Sequence, residues 1–163
     1  MTRSTAVPPR TAQEHKVITA LHTAFLAVMR GFDADLQRAH QLSHTKYVVL
    51  EWLAEAPDRT LGLSELAARC QQSLSAISRT VGRMETQGLV RREQSTRDAR
   101  AYTAALTDAG LQRYQQATPT HDGSLRRYLF DHLKGIDLDA FGDALQHIIA
   151  AADNRTTVPS STT

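Results

Sequence analysis

Between Ala12 and about Gln41, the residues Ile18, Leu21, Phe25, Met29, Phe32 and Leu36 recur at three- and four-residue steps, so they share one stripe of a long amphipathic helix. Ser43 can cap a second helix carrying Tyr47, Leu50, Leu53 and Ala54, which ends before Pro57 because a proline ring disfavours helical backbone at the residue before it. Thr60 to Leu63 reads as a connector or a tiny strand, and Ser64 to Gln71 as a short helix with Leu66, Ala67 and Cys70 inward. Ser73 caps a fourth helix whose Leu74, Ile77, Val81 and Met84 fall on one face, with Gly88 closing the end where positive φ is tolerated. The period then changes from 3.6 to 2: Leu89 to Gln94 and Arg100 to Leu106 are predicted strands around a polar turn, Ser95 to Ala99. Thr107 and Asp108 start a fifth helix with Leu111 and Tyr114 inward, which Pro119 is expected to kink or interrupt before it resumes through Leu125, Tyr128, Leu129 and Leu133. A last helix opens at Asp137 with Leu138, Phe141, Leu145, Ile148 and Ile149 as its buried side.

Three helices followed by a two-stranded hairpin is the order of a winged helix-turn-helix, so the expected fold is mainly α with a small β-hairpin and long helices at both ends. On this reading residues 43–118 form the DNA-binding domain, and 12–42 with 119–152 form a helical dimerisation region. Residues 1–11 and 153–163, rich in Ser, Thr and Pro, read as disordered tails. The two terminal stripes lie too far along the chain to be buried by the winged core alone, so they need each other or a second chain.

Charge sharpens this picture. The chain of 163 residues carries a formal net charge of only +2, but residues 61–106 hold seven arginines against four acids, a surplus of three, leaving the remainder at −1. A localised positive segment suits a phosphate-facing surface. On the fourth helix Ser75, Ser78, Arg79, Gly82 and Arg83 lie opposite the apolar stripe, a slim face suited to the major groove and its flanking phosphates, since arginine can bond guanine O6 and N7 through two parallel donors. In the hairpin, Arg91, Arg97 and Arg100 are candidates for the minor groove, with Asp98 holding Arg100 in position.

LSELA at Leu63 to Ala67, SRTVGRMETQGLVRR at Ser78 to Arg92, Asp98 with Arg100 two positions on, and LTDAG at Leu106 to Gly110 together resemble the MarR (multiple antibiotic resistance regulator) family of bacterial transcription factors. The resemblance spans roughly residues 12–152 and implies a homodimer whose two winged domains sit below a dimerisation domain built from the first and last helices. It implies Ser73, Ser75, Ser78 and Arg79 at the major groove, Arg83 at backbone phosphate, and Asp98 with Arg100 in the wing. The chain departs from the pattern at Leu74 and Ala76, where related proteins often carry polar or basic residues near the bases.

Isologous pairing of two such chains predicts a pseudo-palindromic operator with half-sites about one turn, ~10 bp, apart. The resemblance further implies a repressor responsive to a small aromatic, phenolic or antibiotic-like molecule, for which Phe25, His44, Tyr47 and Trp52 are candidate contacts. The alternative is an architectural or metal- or redox-responsive DNA binder without such a ligand. Cys70 on the apolar side of its helix suits core packing better than oxidant sensing, and His40 and His44 straddle the break before Ser43, so no metal is expected. His121, His132 and His147 read as surface or dimer-contact residues.

No glycine-rich phosphate loop, nucleophile elbow or metalloprotease motif is present, which argues against an enzyme, and no cofactor is expected. The single cysteine fits a reducing cytoplasm. No uninterrupted apolar run approaches the roughly 20 residues of a membrane span, so a membrane partner is not expected.

Overall fold

The computed structural model describes residues 7–94 and 101–156. Along these run α1 (Ala12–His40), α2 (His44–Glu55), β1 (Thr60–Gly62), α3 (Leu63–Arg69), α4 (Leu74–Thr86), β2 (Val90–Gln94), β3 (Tyr102–Leu106), α5 (Asp108–Tyr128) and α6 (Leu138–Thr156). Several helix starts are written in hydroxyl side chains. Thr11 accepts from the Glu14 amide while Glu14 accepts from that of Thr11, a reciprocal pair, and Ser43, Ser73 and Thr107 each accept from the amide three residues on. The segment predicted as connector or strand, Thr60 to Leu63, pairs antiparallel with β3, so the hairpin becomes a sheet ordered β1-β3-β2.

The core lies where α2, α3, α4 and this sheet meet. Leu50, Leu53, Leu66, Ile77, Val81 and Met84 are fully buried there, with Val90, Ala104 and Leu106 closing the sheet side and Ala117 of α5 the top. Burial of this kind contributes roughly 1.5–3 kcal/mol per large apolar side chain, before the entropy of ordering is set against it.

One junction ties the wing to the rest. The Thr107 hydroxyl donates to the Gly88 and Leu89 carbonyls at 2.7 and 3.0 Å and accepts from the Gly110 amide at 3.0 Å, while the Thr107 amide donates to Leu89 O at 3.2 Å. Gly110 lies against the same Leu89 carbonyl with no room for a Cβ. Thus the LTDAG stretch locks the end of α4 to the start of α5.

Several expectations change. Pro119 does not interrupt its helix: α5 runs unbroken through it to Tyr128, then a 3-10 turn at Phe130–His132 follows. Pro119 and Gln115, whose carbonyl loses its helical donor, are both exposed, so water can satisfy that carbonyl. The third helix begins at Leu63, with Gly62 as its cap, rather than at Ser64. At the C-terminus, α6 continues to Thr156, past the start expected for the tail, because no glycine or proline stops it there. The remainder of both expected tails, 1–6 and 157–163, lies outside the described residues.

The arms divide sharply. Phe32 and Leu36 at the distal end of α1 are buried, whereas Ile18, Leu21 and Phe25 are exposed, Phe25 by 59 %. Leu138, Ile148 and Ile149 of α6, expected to be buried, are likewise exposed, so neither arm covers the other within one protomer. One 18-residue window of α1 is long and apolar enough by composition to cross a membrane, with 6 % of it buried. The polar residues interspersed in it keep it from being an uninterrupted apolar run.

A polar hub fastens α1 to α5 instead. Asp35 is only 7 % exposed and accepts from Ser124 Oγ at 2.8 Å, Arg127 Nη1 at 3.2 Å and Arg38 Nη1 at 3.1 Å. The Ser124 hydrogen bond, aided by the Tyr128 hydroxyl and then by the Arg127 and Arg38 charges, holds its carboxyl below the usual range despite burial.

Candidate nucleic-acid interface

Helix α4 turns Ile77, Val81 and Met84 into the core and leaves Ser75, Arg79 and Arg83 exposed on other faces. Ser78 and Gly82 are half-buried at the margin, and no side chain stands within 4 Å of a Cβ placed on Gly82, so this face is slim. Among the described residues neither Arg79 nor Arg83 forms an ion pair, and both side chains are exposed where an anion can reach them. Ser73 is already engaged: its hydroxyl accepts from the Ala76 amide at 3.2 Å and lies 3.1 Å from Ser75 Oγ. Leu74, expected on the buried stripe, is 50 % exposed, because the stripe runs past the end of the core at the first turn of the helix.

The wing continues this surface. Arg91 is exposed and pairs loosely with Glu93 at 3.7 Å. Its neighbour Arg92 has its guanidinium carbon 5.0 Å above the Tyr102 ring, and the Arg92 amide donates to Glu85 Oε1 of α4 at 3.1 Å. Sequence reasoning counted Arg92 as a cation but missed both ties. The register that places Arg92 opposite Ala104 makes Tyr102 its diagonal cross-strand neighbour on the same face, the one signal that pointed to the stack. Arg97, Asp98 and Arg100, with the Ser95 to Ala99 turn, lie outside the described residues.

The four candidate ligand contacts separate into three environments. Phe25 and His44 line one cleft of about 470 Å³ between α1, the start of α2 and the α3–α4 turn, together with Met29, Asp33, Val48 and Cys70. Tyr47 is inside the core, hydrogen-bonded to Thr118 and Glu51, and burial raises its hydroxyl pKa strongly. Trp52 is half-buried under the Arg69 guanidinium, 5.2 Å from its carbon. In the cleft wall, burial pushes the Cys70 thiol up to about 11, so it is not a ready thiolate.

Behind that cleft sits a stack the sequence did not reveal. His121, expected at the surface or a dimer contact, is 8 % exposed, with its ring 4.2 Å from Tyr47, 5.5 Å from His44 and 5.3 Å from Phe32. Its Nε2 finds no hydrogen-bond partner among the described residues. It faces inward because α5 stays helical through Pro119, which rotates His121 onto the α1–α2 side. His40 meets Thr120 at 2.8 Å rather than pairing with His44, and no group of three metal-binding side chains occurs among the described residues.

Burial holds both His121 and His44 below the ordinary imidazole range. The neighbouring imidazole adds to this at His121, while Asp122 and Asp33 oppose it at His121 and His44 respectively. A base whose folded pKa is depressed favours folding above its unfolded pKa of about 6.5 and withdraws that stability as pH falls below it. The urea midpoint should therefore drop between pH 7.5 and pH 5.5, and His121→Phe, which keeps a ring in the stack but cannot titrate, should shrink that drop. An equal drop in wild type and variant would remove His121 from the account.

The fold so assembled, a buried tri-helical core with a sheet-borne wing, is shared with known proteins. The MarR family profile matches residues 40–101. The Escherichia coli HTH-type transcriptional regulator PrsX is 32 % identical over 80 residues, 49 % of this chain and 48 % of that protein, so the match spans about half of that relative's length. The HTH-type transcriptional repressor YetL of Bacillus subtilis (strain 168) is 27 % identical over 115 residues, 69 % of each chain. Sco3205, a MarR family transcriptional regulator from Streptomyces coelicolor solved in complex with DNA, superposes with a TM-score of 0.85 at 30 % identity, covering 91 % of this chain and 92 % of that one. With the fold shared across nearly the whole length and the profile centred on the winged core, the chain belongs to the MarR family of transcriptional regulators.

Proposed function

We propose that the protein is a dimeric, DNA-binding transcriptional repressor of the cytoplasm that binds a pseudo-palindromic operator and is released by a small aromatic ligand. The observation that carries the DNA-binding part is the exposed Arg79/Arg83 face, without ion pairs among the described residues, opposite the buried Ile77/Val81/Met84 stripe. The likeness to Sco3205, which was solved with DNA, supports it, and the name of YetL supports repression. In this reading Ser75, Ser78 and Arg79 enter the major groove, with Ser73 mainly fixing the helix start, and Arg83 meets phosphate. Arg91, Arg97 and Arg100 serve the minor groove, with Asp98 steadying Arg100.

Residues 12–42 and 119–152 form the dimerisation region and 43–118 the DNA-binding domain. Because α5 runs from the wing junction at Thr107 to the α1 hub at Asp35, one helix carries any change in arm spacing to the recognition helix. The cleft lined by Phe25 and His44 lies between the two regions, so a ligand there acts by preferring one spacing over the other, and only by the difference between its affinities for the two.

Footprinting the purified protein on its own upstream intergenic DNA tests the reading: two protected half-sites about 10 bp apart are expected. Arg79→Ala should weaken binding to that site by about tenfold, within the ~1–3 kcal/mol range of a bidentate base contact. Unchanged titration of the variant would remove Arg79 from the interface. Calorimetry against a panel of phenols and antibiotics tests the ligand, and silence across it would favour an architectural DNA binder.

A further inference from the structure

The first turn of α4 carries an apolar group where a polar reader was expected. Leu74 is half exposed, while the hydroxyls on either side of it, Ser73 and Ser75, are within hydrogen-bond distance of each other and Ser73 also caps the helix. Ser73 and Ser75 are thus partly engaged with each other, and the leucine side chain is the exposed apolar surface between them. The N-terminal turn of a recognition helix is the part that approaches base edges. The major groove offers one apolar group there, the C5-methyl of thymine. Arg79, exposed and without an ion pair among the described residues, lies five residues further along the same helix.

We infer that Leu74 is a specificity-determining residue, reading a thymine in each half-site by packing its side chain against the C5-methyl. The inference rests on the proposed docking of α4 in the major groove. It explains why leucine can stand where a polar reader is usual: the contact excludes water from a methyl instead of exchanging hydrogen bonds. A cytosine at that position lacks the methyl and is rejected without any repulsive group.

The test uses the full-length protein and the footprinted operator, with each thymine of one half-site replaced in turn by uracil, which removes the methyl and keeps every hydrogen bond. Wild-type affinity should fall about fourfold at one position, the effect of roughly one buried methyl group. Leu74→Ala should bind the natural site several-fold more weakly and be indifferent to uracil at that position, so the two losses do not add. The variant's folding is checked by its urea midpoint, which should hold because the side chain is half exposed and alanine favours helix. Wild type insensitive to uracil at every position, or a variant as sensitive as wild type, overturns the role of Leu74 while leaving the DNA reading intact. No binding to the natural duplex at all overturns both.

Discussion

Gly110→Ala is expected to lower unfolding free energy by roughly 3 kcal/mol, the upper end for forcing an extra methyl into a packed interior. A Cβ at Gly110 would meet the Leu89 carbonyl oxygen, the Leu89 carbonyl carbon at 3.0 Å and Leu106 Cδ1 at 2.7 Å, and two of these three are backbone. Nor can the backbone yield cheaply. The same Leu89 carbonyl accepts from the Thr107 amide and hydroxyl, and Thr107 in turn accepts from Gly110, so pushing the strand away breaks the start of α5 as well. Gly82→Ala is the contrasting case. It adds a methyl where nothing stands within 4 Å, in the interior of a helix, and should raise stability by about 0.5–1 kcal/mol without DNA. Denaturant titration distinguishes them, with the midpoint falling in one and rising in the other at unchanged slope. A wild-type midpoint for Gly110→Ala would show that the junction is looser than its hydrogen bonds imply.

That junction also shows what the sequence carried. LTDAG was readable as a motif and Thr107 as a cap, because caps and glycines obey local rules. Its meaning, a carbonyl just before β2 pressed against a helix, depends on Leu89 lying beside Gly110 in the fold. The same division holds elsewhere. The winged order, the Ile77/Val81/Met84 stripe and the arginine face followed from period and charge. Leu74 did not, since helical spacing places it near the stripe while only the length of the core decides whether anything covers it. His121 and Asp35 were illegible for another reason: polar residues on a mainly polar helix and on the edge of an apolar stripe give no periodic signal, and their burial arises from partners on distant segments, Tyr47 with His44 and Ser124 with Arg127. The helix is not interrupted at Pro119 because the local rule is outweighed by α1 and α2 packing along α5 and by an exposed carbonyl that water can serve.

Leu21→Asp should convert the protein to a monomer at micromolar concentration and weaken operator binding by at least a hundredfold. Within one protomer Leu21 touches little, being 44 % exposed, and α1 is held at its other end by Phe32, Leu36 and the Asp35 hub, so the fold itself should persist. The cost falls on the pair. Isologous pairing through the Ile18/Leu21/Phe25 face brings two carboxylates into one apolar interface for a single substitution, and each buried, unpaired charge costs several kcal/mol. Once the dimer is lost, each half-site is bound separately, and the 10²–10⁴-fold advantage of linkage disappears. Thr23→Asp places the same charge about 160° around the helix from Leu21 and should leave both mass and affinity near wild type. Light scattering and the operator titration, run on the same samples, separate the alternatives. A dimeric Leu21→Asp would place the interface elsewhere, and a monomer with full affinity would mean that the spacing of two recognition helices is not what the operator reads.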